Sequence, residues 1–316
     1  MPVEIFEQNI AEPMFICLKT IICAIVILTG LVCRSQIPGT VVFETTTRYH
    51  NIRVIDNLGL RYLSFDGSTE TRMSVADPLK GHFEYTEYFH LVWLWNDRLT
   101  NVLMVGLGGG SVQRAFEYYY PKLQIETVEL DPVVVNVAER FFNFKKSPRQ
   151  VVYIADGRQF LQRTTNLYGA IIMDAYHSGR YGSFVPYHLT TKEFFEIALS
   201  KLTTNGVIAY NVIGTLSGFQ SEIVGSVYRT MKSVFPQVYV FPARESMNVV
   251  LIGTRSNIKA TTQSLTAKAS YLLRNRIVNF PLLVQRASAH TLPPAEFNQC
   301  EILTDDFAPV DDLLRR

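Results

Sequence analysis

The chain has 316 residues, 47% of them apolar and 18% charged, with a formal charge of +2. That length suits one large α/β domain plus an appendage; the apolar share excludes global disorder, and the near-neutral balance leaves no electrostatic footprint for general nucleic-acid binding. The cysteines Cys17, Cys23, Cys33 and Cys300 argue against a disulfide framework or a cysteine zinc site, because three of them fall in one N-terminal apolar run.

That run, Phe15 to Cys33, is interrupted by Lys19, Thr20, Thr29 and Gly30. As a helix it would nearly span a ~30 Å hydrocarbon core. Glu4, Glu7 and Glu12 precede it, which is the wrong charge for the start of a signal peptide. A membrane anchor within residues 1–34 is therefore expected, at residues 15–33. Arg34, Arg48 and Arg53 follow, which places the rest of the chain on the cytoplasmic side.

Residues 35–80 read as a β-hairpin domain. Ser35 to Thr47 reads as a linker into strands. Ile52 and Val54 then alternate with polar neighbours, Asn57-Leu58-Gly59 turns the chain, and Leu60 to Phe65 returns it. Asp66-Gly67 makes a second turn before Thr69 to Met73. From about Asn101 the pattern changes. Short apolar runs (Val102–Val105, Gln124–Val128, Val151–Ala155, Ala170–Met173, Val207–Asn211) alternate with helical stretches (Val112–Tyr120, Val133–Phe141, Thr191–Leu202, Glu222–Phe235). This predicts a doubly wound parallel sheet within a Rossmann-like catalytic domain, residues 81–316. Val238–Phe241 and Val249–Ile252 look like a closing hairpin, and Gln263 to Asn275 like a further helix.

Ligands of open α/β sheets bind beyond the carboxyl ends of the strands. The first strand ends in Gly106-Leu107-Gly108-Gly109-Gly110-Ser111 and feeds a helix. Glycines let the backbone pass close to a ligand, and the helix N-terminus favours negative charge or lone pairs. Alone, this loop is a weak signal shared by dinucleotide enzymes and methyltransferases. The second strand ends in Glu129-Leu130-Asp131, where an acid can accept both ribose hydroxyls of an adenosine. The third ends in Asp156-Gly157. Asp156 reads equally as an acceptor for an adenine amino group and as a helix cap. The fourth ends in Asp174, directly after Ile171-Ile172-Met173, where a carboxylate is costly unless solvated or used. Three carboxylates at consecutive strand ends are more specific than any one of them.

Together these residues resemble the polyamine aminopropyltransferases, the spermidine synthase family, from about Tyr49 to the C-terminus. Tyr49-His50-Asn51-Ile52-Arg53-Val54 matches the family's Tyr-Gln-x-Ile-x-Val. Leu60 to Gly67 matches its Leu-rich strand ending in Asp-Gly, and Tyr85-Thr86-Glu87 its Tyr-His-Glu helix. Arg114 follows the glycine loop at the matching place, and Asp174 matches the catalytic Asp. The tail Leu303 to Val310 is similar to that of membrane-associated bacterial spermidine synthase-like proteins. The fold implied is a methyltransferase-like Rossmann sheet preceded by the hairpin domain and the transmembrane helix, with a homodimer formed through the hairpins.

The resemblance implies transfer of an aminopropyl group from decarboxylated S-adenosylmethionine to an amine, releasing methylthioadenosine, with no tightly bound cofactor and no metal. Asp174 and Tyr85 are then catalytic, Asp174 as the base. Gly106, Gly108, Gly110, His50, Glu129, Asp156 and Gly157 hold the adenosyl co-substrate. Tyr85, Glu87, Tyr176 and His177 contact the amine. Three departures stand out: the family's glycine-loop Asp is Gly109, the second Asp of its Asp-x-x-Asp-Pro loop is His177 with no Pro after it, and the Gln of its first motif is His50. Losing carboxylates weakens the hold on a dication. Two other readings therefore stay open: a methyltransferase using S-adenosylmethionine itself, and a non-catalytic nucleoside- or polyamine-binding module at the membrane. A nicotinamide dehydrogenase fits the Gly106–Ser111 loop poorly.

Overall fold

In a computed structural model the structure describes residues 37–179 and 182–314. It begins with a four-stranded antiparallel meander, β1 (Thr40–Thr46), β2 (Asn51–Asn57), β3 (Leu60–Phe65) and β4 (Ser68–Ser74). The stretch read from sequence as a linker is thus largely strand: Thr40 to Thr46 pairs along β2. It escaped notice because β1 is an edge strand whose burial is slight, so it carries no strong inside–outside alternation. The turns at Leu58-Gly59 and Asp66-Gly67 all have positive φ, which joins the strands as tight hairpins. Ile52, Val54, Leu63, Phe65 and Met73 point to one side, where they pack on Val134, Val137 and Phe142 from the helix Pro132–Phe141 and its end. The meander therefore shares a core with the large α/β part of the chain, and Gly39–Arg316 forms one compact unit.

A 3₁₀ helix, Glu84–Leu94, leads into a seven-stranded sheet. Its strands are β5 (Asn101–Val105), β6 (Gln124–Glu129), β7 (Gln150–Ile154), β8 (Tyr168–Met173), β11 (Leu202–Ile213), β12 (Gln237–Pro242) and β13 (Asn248–Thr254), in the order β12-β13-β11-β8-β5-β6-β7. A two-stranded ribbon, β9 (His177–Gly179) and β10 (Gly182–Phe184), follows β8. The five strands from β7 to β11 are parallel. The expected closing hairpin is present but inserted: β13 lies antiparallel between β11 and β12.

Both faces of the inner strands β5, β8 and β13 are covered, which is why these read as unbroken apolar runs. Leu103 and Val105 of β5 face one core, with the helices Lys192–Ser200 and Ser221–Val234. Val102 and Met104 face the other, with the 3₁₀ helix and the helices Ser111–Tyr119 and Thr262–Arg274. Below this second core, Glu84 is buried against Arg286, and Glu87 pairs with both Arg286 and His82. Arg286 belongs to a late helix, Leu283–Ala287, so this ion cluster fastens the C-terminal part of the chain to the segment that carries Tyr85.

No helix among the described residues is long and apolar enough to cross a membrane. The run at residues 15–33 lies outside the described residues.

Candidate active site

The chain runs from β5 outward to β6 and β7, then returns to β8 on the other side of β5. This reversal opens a crevice at the carboxyl ends of β5 and β8, where such sheets bind ligands. An open cleft lies there. It is lined by Gly106, Gly108, Glu129, Asp156, Gly157 and Asp174 from the large sheet. His50, Phe65, Glu70 and Thr71 come from the meander, and Tyr85, Tyr176 and His177 close the remaining sides.

Gly106 is required by close approach. Its φ is +98°, and a Cβ there would collide with the backbone of Asp174. The two strand ends are thereby brought together, with Asp174 N donating to Val105 O at 2.9 Å. Gly110 closes the loop at the start of the helix Ser111–Tyr119, which has no side-chain cap. Arg114 braces this turn from below, bonding the Gly109 carbonyl and Ser111 Oγ. Burial lowers its guanidinium to about 10.

Asp174 follows the last residue of β8 and lines the cleft. Oδ1 accepts from Asn211 Nδ2 at 3.0 Å, and Oδ2 accepts from the Tyr85 hydroxyl at 3.3 Å. Burial pushes the carboxyl up to about 6, while the two hydrogen bonds pull the other way. Asn211 is itself fixed by Asn248, which donates to its Oδ1 at 3.1 Å. Tyr176 places a buried hydroxyl near this pair with no hydrogen-bond partner among the described residues, and burial raises the pKa of that hydroxyl far above the ordinary tyrosine value.

At the end of β6 the cleft is built around backbone groups. Glu129 Oε2 accepts from Leu107 N at 3.0 Å and Oε1 from Asp131 N at 2.9 Å. Each oxygen keeps a lone pair for a further donor, so the site remains open to the two hydroxyls of a ribose. Burial raises this carboxyl despite those bonds. Asp131 turns away from the cleft: it caps the helix Pro132–Phe141 through Val133 N and accepts from Thr47 Oγ1 at 2.6 Å. Asp156 does cap a helix, through Gln159 N at 2.9 Å, and its other oxygen lies 2.8 Å from His188 Nε2. The bond to His188 holds Asp156 below the usual carboxylate range. His50 stacks on Phe65 at 4.5 Å, and burial lowers its pKa although Asp66 beside it pulls the other way.

Glu87, read as an amine contact, is not among the cleft-lining residues. Its carboxylate is engaged by His82 Nε2 at 2.8 Å and Arg286 Nε at 2.6 Å, which hold its pKa down although burial opposes its charge. The neighbours Tyr85 and Glu87 point apart along the 3₁₀ helix. His177 stands exposed at the cleft, 6.1 Å from the His50 ring. Asn211, Asn248 and Glu70 were not singled out by the sequence reading. A polar residue inside the otherwise apolar run from Val207 to Ile213 was the available signal for Asn211.

A model of the spermine/spermidine synthase domain matches residues 82–254. The chain belongs to this family. It is 31% identical over 306 residues to a polyamine aminopropyltransferase of Vibrio vulnificus, covering 91% of this chain and 97% of that one. The fold is similar to a probable spermidine synthase from Corynebacterium glutamicum, with a TM-score of 0.61 and 18% identity, over 75% of this chain and 94% of that one. Human methyltransferase-like protein 13, solved in complex with SAH, aligns with a TM-score of 0.53 and 28% identity, over 60% of this chain and 89% of that chain. In the spermine/spermidine synthase family member described here, the sheet is thus one also found in a methyltransferase, and the family match extends over the cleft from Tyr85 to Asn211.

Proposed function

We propose that the chain moves an aminopropyl group from decarboxylated S-adenosylmethionine to an amine and releases methylthioadenosine. The observation that carries this reading is Asp174, held by Tyr85 and Asn211 at the switch point and facing the glycine loop. The amine nitrogen attacks the methylene carbon beside the sulfonium. The carbon–sulfur bond breaks, its electron pair goes to sulfur, and the nitrogen's proton passes to Asp174. A free ammonium of pKa ~10.4 lies ~4 units above Asp174, a gap of ~6 kcal/mol. The sulfonium charge and the burial around Asp174 both disfavour a second cation, so they narrow that gap. Alignment of nitrogen, carbon and sulfur supplies the rest of the acceleration. Glu129 takes the ribose hydroxyls, Asp156 and the His50–Phe65 stack border the base, and the Gly106–Gly110 loop passes beneath the sulfur side. The family match and the Vibrio relative favour this transfer over methyl transfer on the same sheet.

The finer assignment is a membrane-associated branch of the family. The apolar run at residues 15–33 and the arginines after it support an anchor with the catalytic part on the cytoplasmic side. Pairing of two copies through the meander belongs to the same reading.

The test is incubation of the full chain with decarboxylated S-adenosylmethionine and a mixture of diamines and polyamines, followed by mass spectrometry. Amine-dependent methylthioadenosine together with an amine lengthened by one aminopropyl unit is the expected result. Methylated amine in its place would sink the reading.

A further inference from the structure

We propose that Glu70 holds the primary ammonium of the donor's aminopropyl arm and is the residue that rejects donors carrying a carboxylate at that position. This rests on the aminopropyl-transfer reading of the cleft. The donor then brings two cationic centres, a sulfonium and an ammonium, and Asp174 is committed to the attacking amine. A second carboxylate is needed on the donor side.

Among the described residues the cleft is lined by four carboxylates: Glu70, Glu129, Asp156 and Asp174. Glu129 accepts from the Leu107 and Asp131 amides, and Asp156 is held by Gln159 N and His188. Both stand at the nucleoside end. Glu70 lines the cleft from the meander, in the same lining as Tyr85, Asp174 and Tyr176.

The backbone explains how Glu70 reaches the cleft. Between β3 and β4, Leu63 pairs with Thr71 and Ser64 with Thr69, so the ladder skips Glu70. Such a bulge breaks the strict alternation of a strand and re-aims one side chain. Glu70 and Thr71 consequently both line the cleft, although they are sequence neighbours. Thr71 fixes the position of the pair, since its Oγ1 accepts from Gly109 N at 2.8 Å. The glycine loop has no room for an acid of its own at that point. A Cβ on Gly109 would lie 2.6 Å from Thr71 Cγ2 and 3.0 Å from the Phe142 ring. The negative charge over the loop therefore arrives from β4. A carboxylate on the donor would meet it as a like charge, whereas an ammonium meets it as a partner.

The test is calorimetric titration of the full chain and its E70Q and E70A variants with three ligands. These are decarboxylated S-adenosylmethionine, S-adenosylmethionine, and methylthioadenosine, which has no ammonium. The expected result is a loss of tenfold or more in affinity for the decarboxylated donor, with methylthioadenosine unchanged within twofold. The preference for the decarboxylated donor over S-adenosylmethionine should fall by a similar factor. Equal losses for donor and methylthioadenosine would overturn the assignment in favour of a scaffold role. Unchanged donor affinity with a raised KM for the amine would overturn it in favour of the acceptor side. Glu70-dependent donor binding without any lengthened amine would leave the assignment standing and remove the proposed reaction instead.

Discussion

Asn211 on β11 donates to Asp174 at the end of β8 and is itself held by Asn248 on β13. Three adjacent strands thus set the orientation and the charge of one carboxylate. Asn211 stabilises the ionised form, so N211A should move the acid limb of the pH–rate profile to higher pH. The rate at pH 6 should fall more than the rate at pH 8, by roughly the tenfold that one charge-assisted hydrogen bond represents. A loss of equal size at every pH would show that Asn211 only orients.

Replacing Asp174 by Asn should lower kcat by about 10²- to 10⁴-fold, the usual worth of a positioned base. Methylthioadenosine affinity should stay within twofold. Stability should move the other way. Burial raises the Asp174 carboxyl from 3.8 to about 6 in the folded state, so its protonated form is the one that folding favours. The associated stability is fully present below the unfolded pKa and is lost as pH rises through about 6. D174N should therefore be more stable than the parent at pH 8, by up to about 3 kcal/mol, and no more stable near pH 3.5. Urea melts at the two pH values measure this.

Y85F removes the other hydrogen bond to Asp174. We expect a fall of about tenfold in kcat. The acid limb should again shift upward, because this bond also lowers the Asp174 pKa. An unshifted limb would detach Tyr85 from the ionisation of Asp174.

E129A should weaken methylthioadenosine binding at least tenfold. It should also cost about 1–3 kcal/mol, since the Leu107 and Asp131 amides lose their shared acceptor. Calorimetry and thermal melts separate the two effects. Unchanged nucleoside affinity would remove Glu129 from the binding site.

G109A should destabilise the fold by about 1–3 kcal/mol, because the added methyl has to displace Thr71 or Phe142. A variant as stable as the parent would mean that the meander can withdraw from the loop.

Much of the site was legible because strand ends leave a periodic trace. Apolar runs closing on Glu129, Asp156 and Asp174 predicted both the parallel strands and the acids beyond them. What stayed hidden depends on contacts between distant segments. Nothing local marks Glu70, since its position follows from a skipped pair in the β3–β4 ladder. Glu87 carries a motif-like neighbourhood, yet Arg286, about two hundred residues later in the chain, decides where it points. The edge strand β1 was missed because half-exposed β-branched residues look the same in a strand and in a linker. Of the two roles weighed for Asp156 the structure shows the helix cap, while its second oxygen lies against His188, a partner far along the chain that nothing local announces.

The Arg286 cluster also determines where the protein could be cut. The segment matched by the family, residues 82–254, contains the glycine loop, Glu129, Asp156, Asp174 and Asn211, but neither Glu70 nor Arg286. A fragment ending before Leu283 would strand Glu84 in the interior without its guanidinium, a penalty of about 3–5 kcal/mol for a broken buried pair. That is a large share of the stability of an ordinary domain. The stretch of chain that carries the chemistry is therefore shorter than the stretch needed to hold it folded. Expression trimmed to the former should yield insoluble or protease-sensitive protein with every strand-end acid in place.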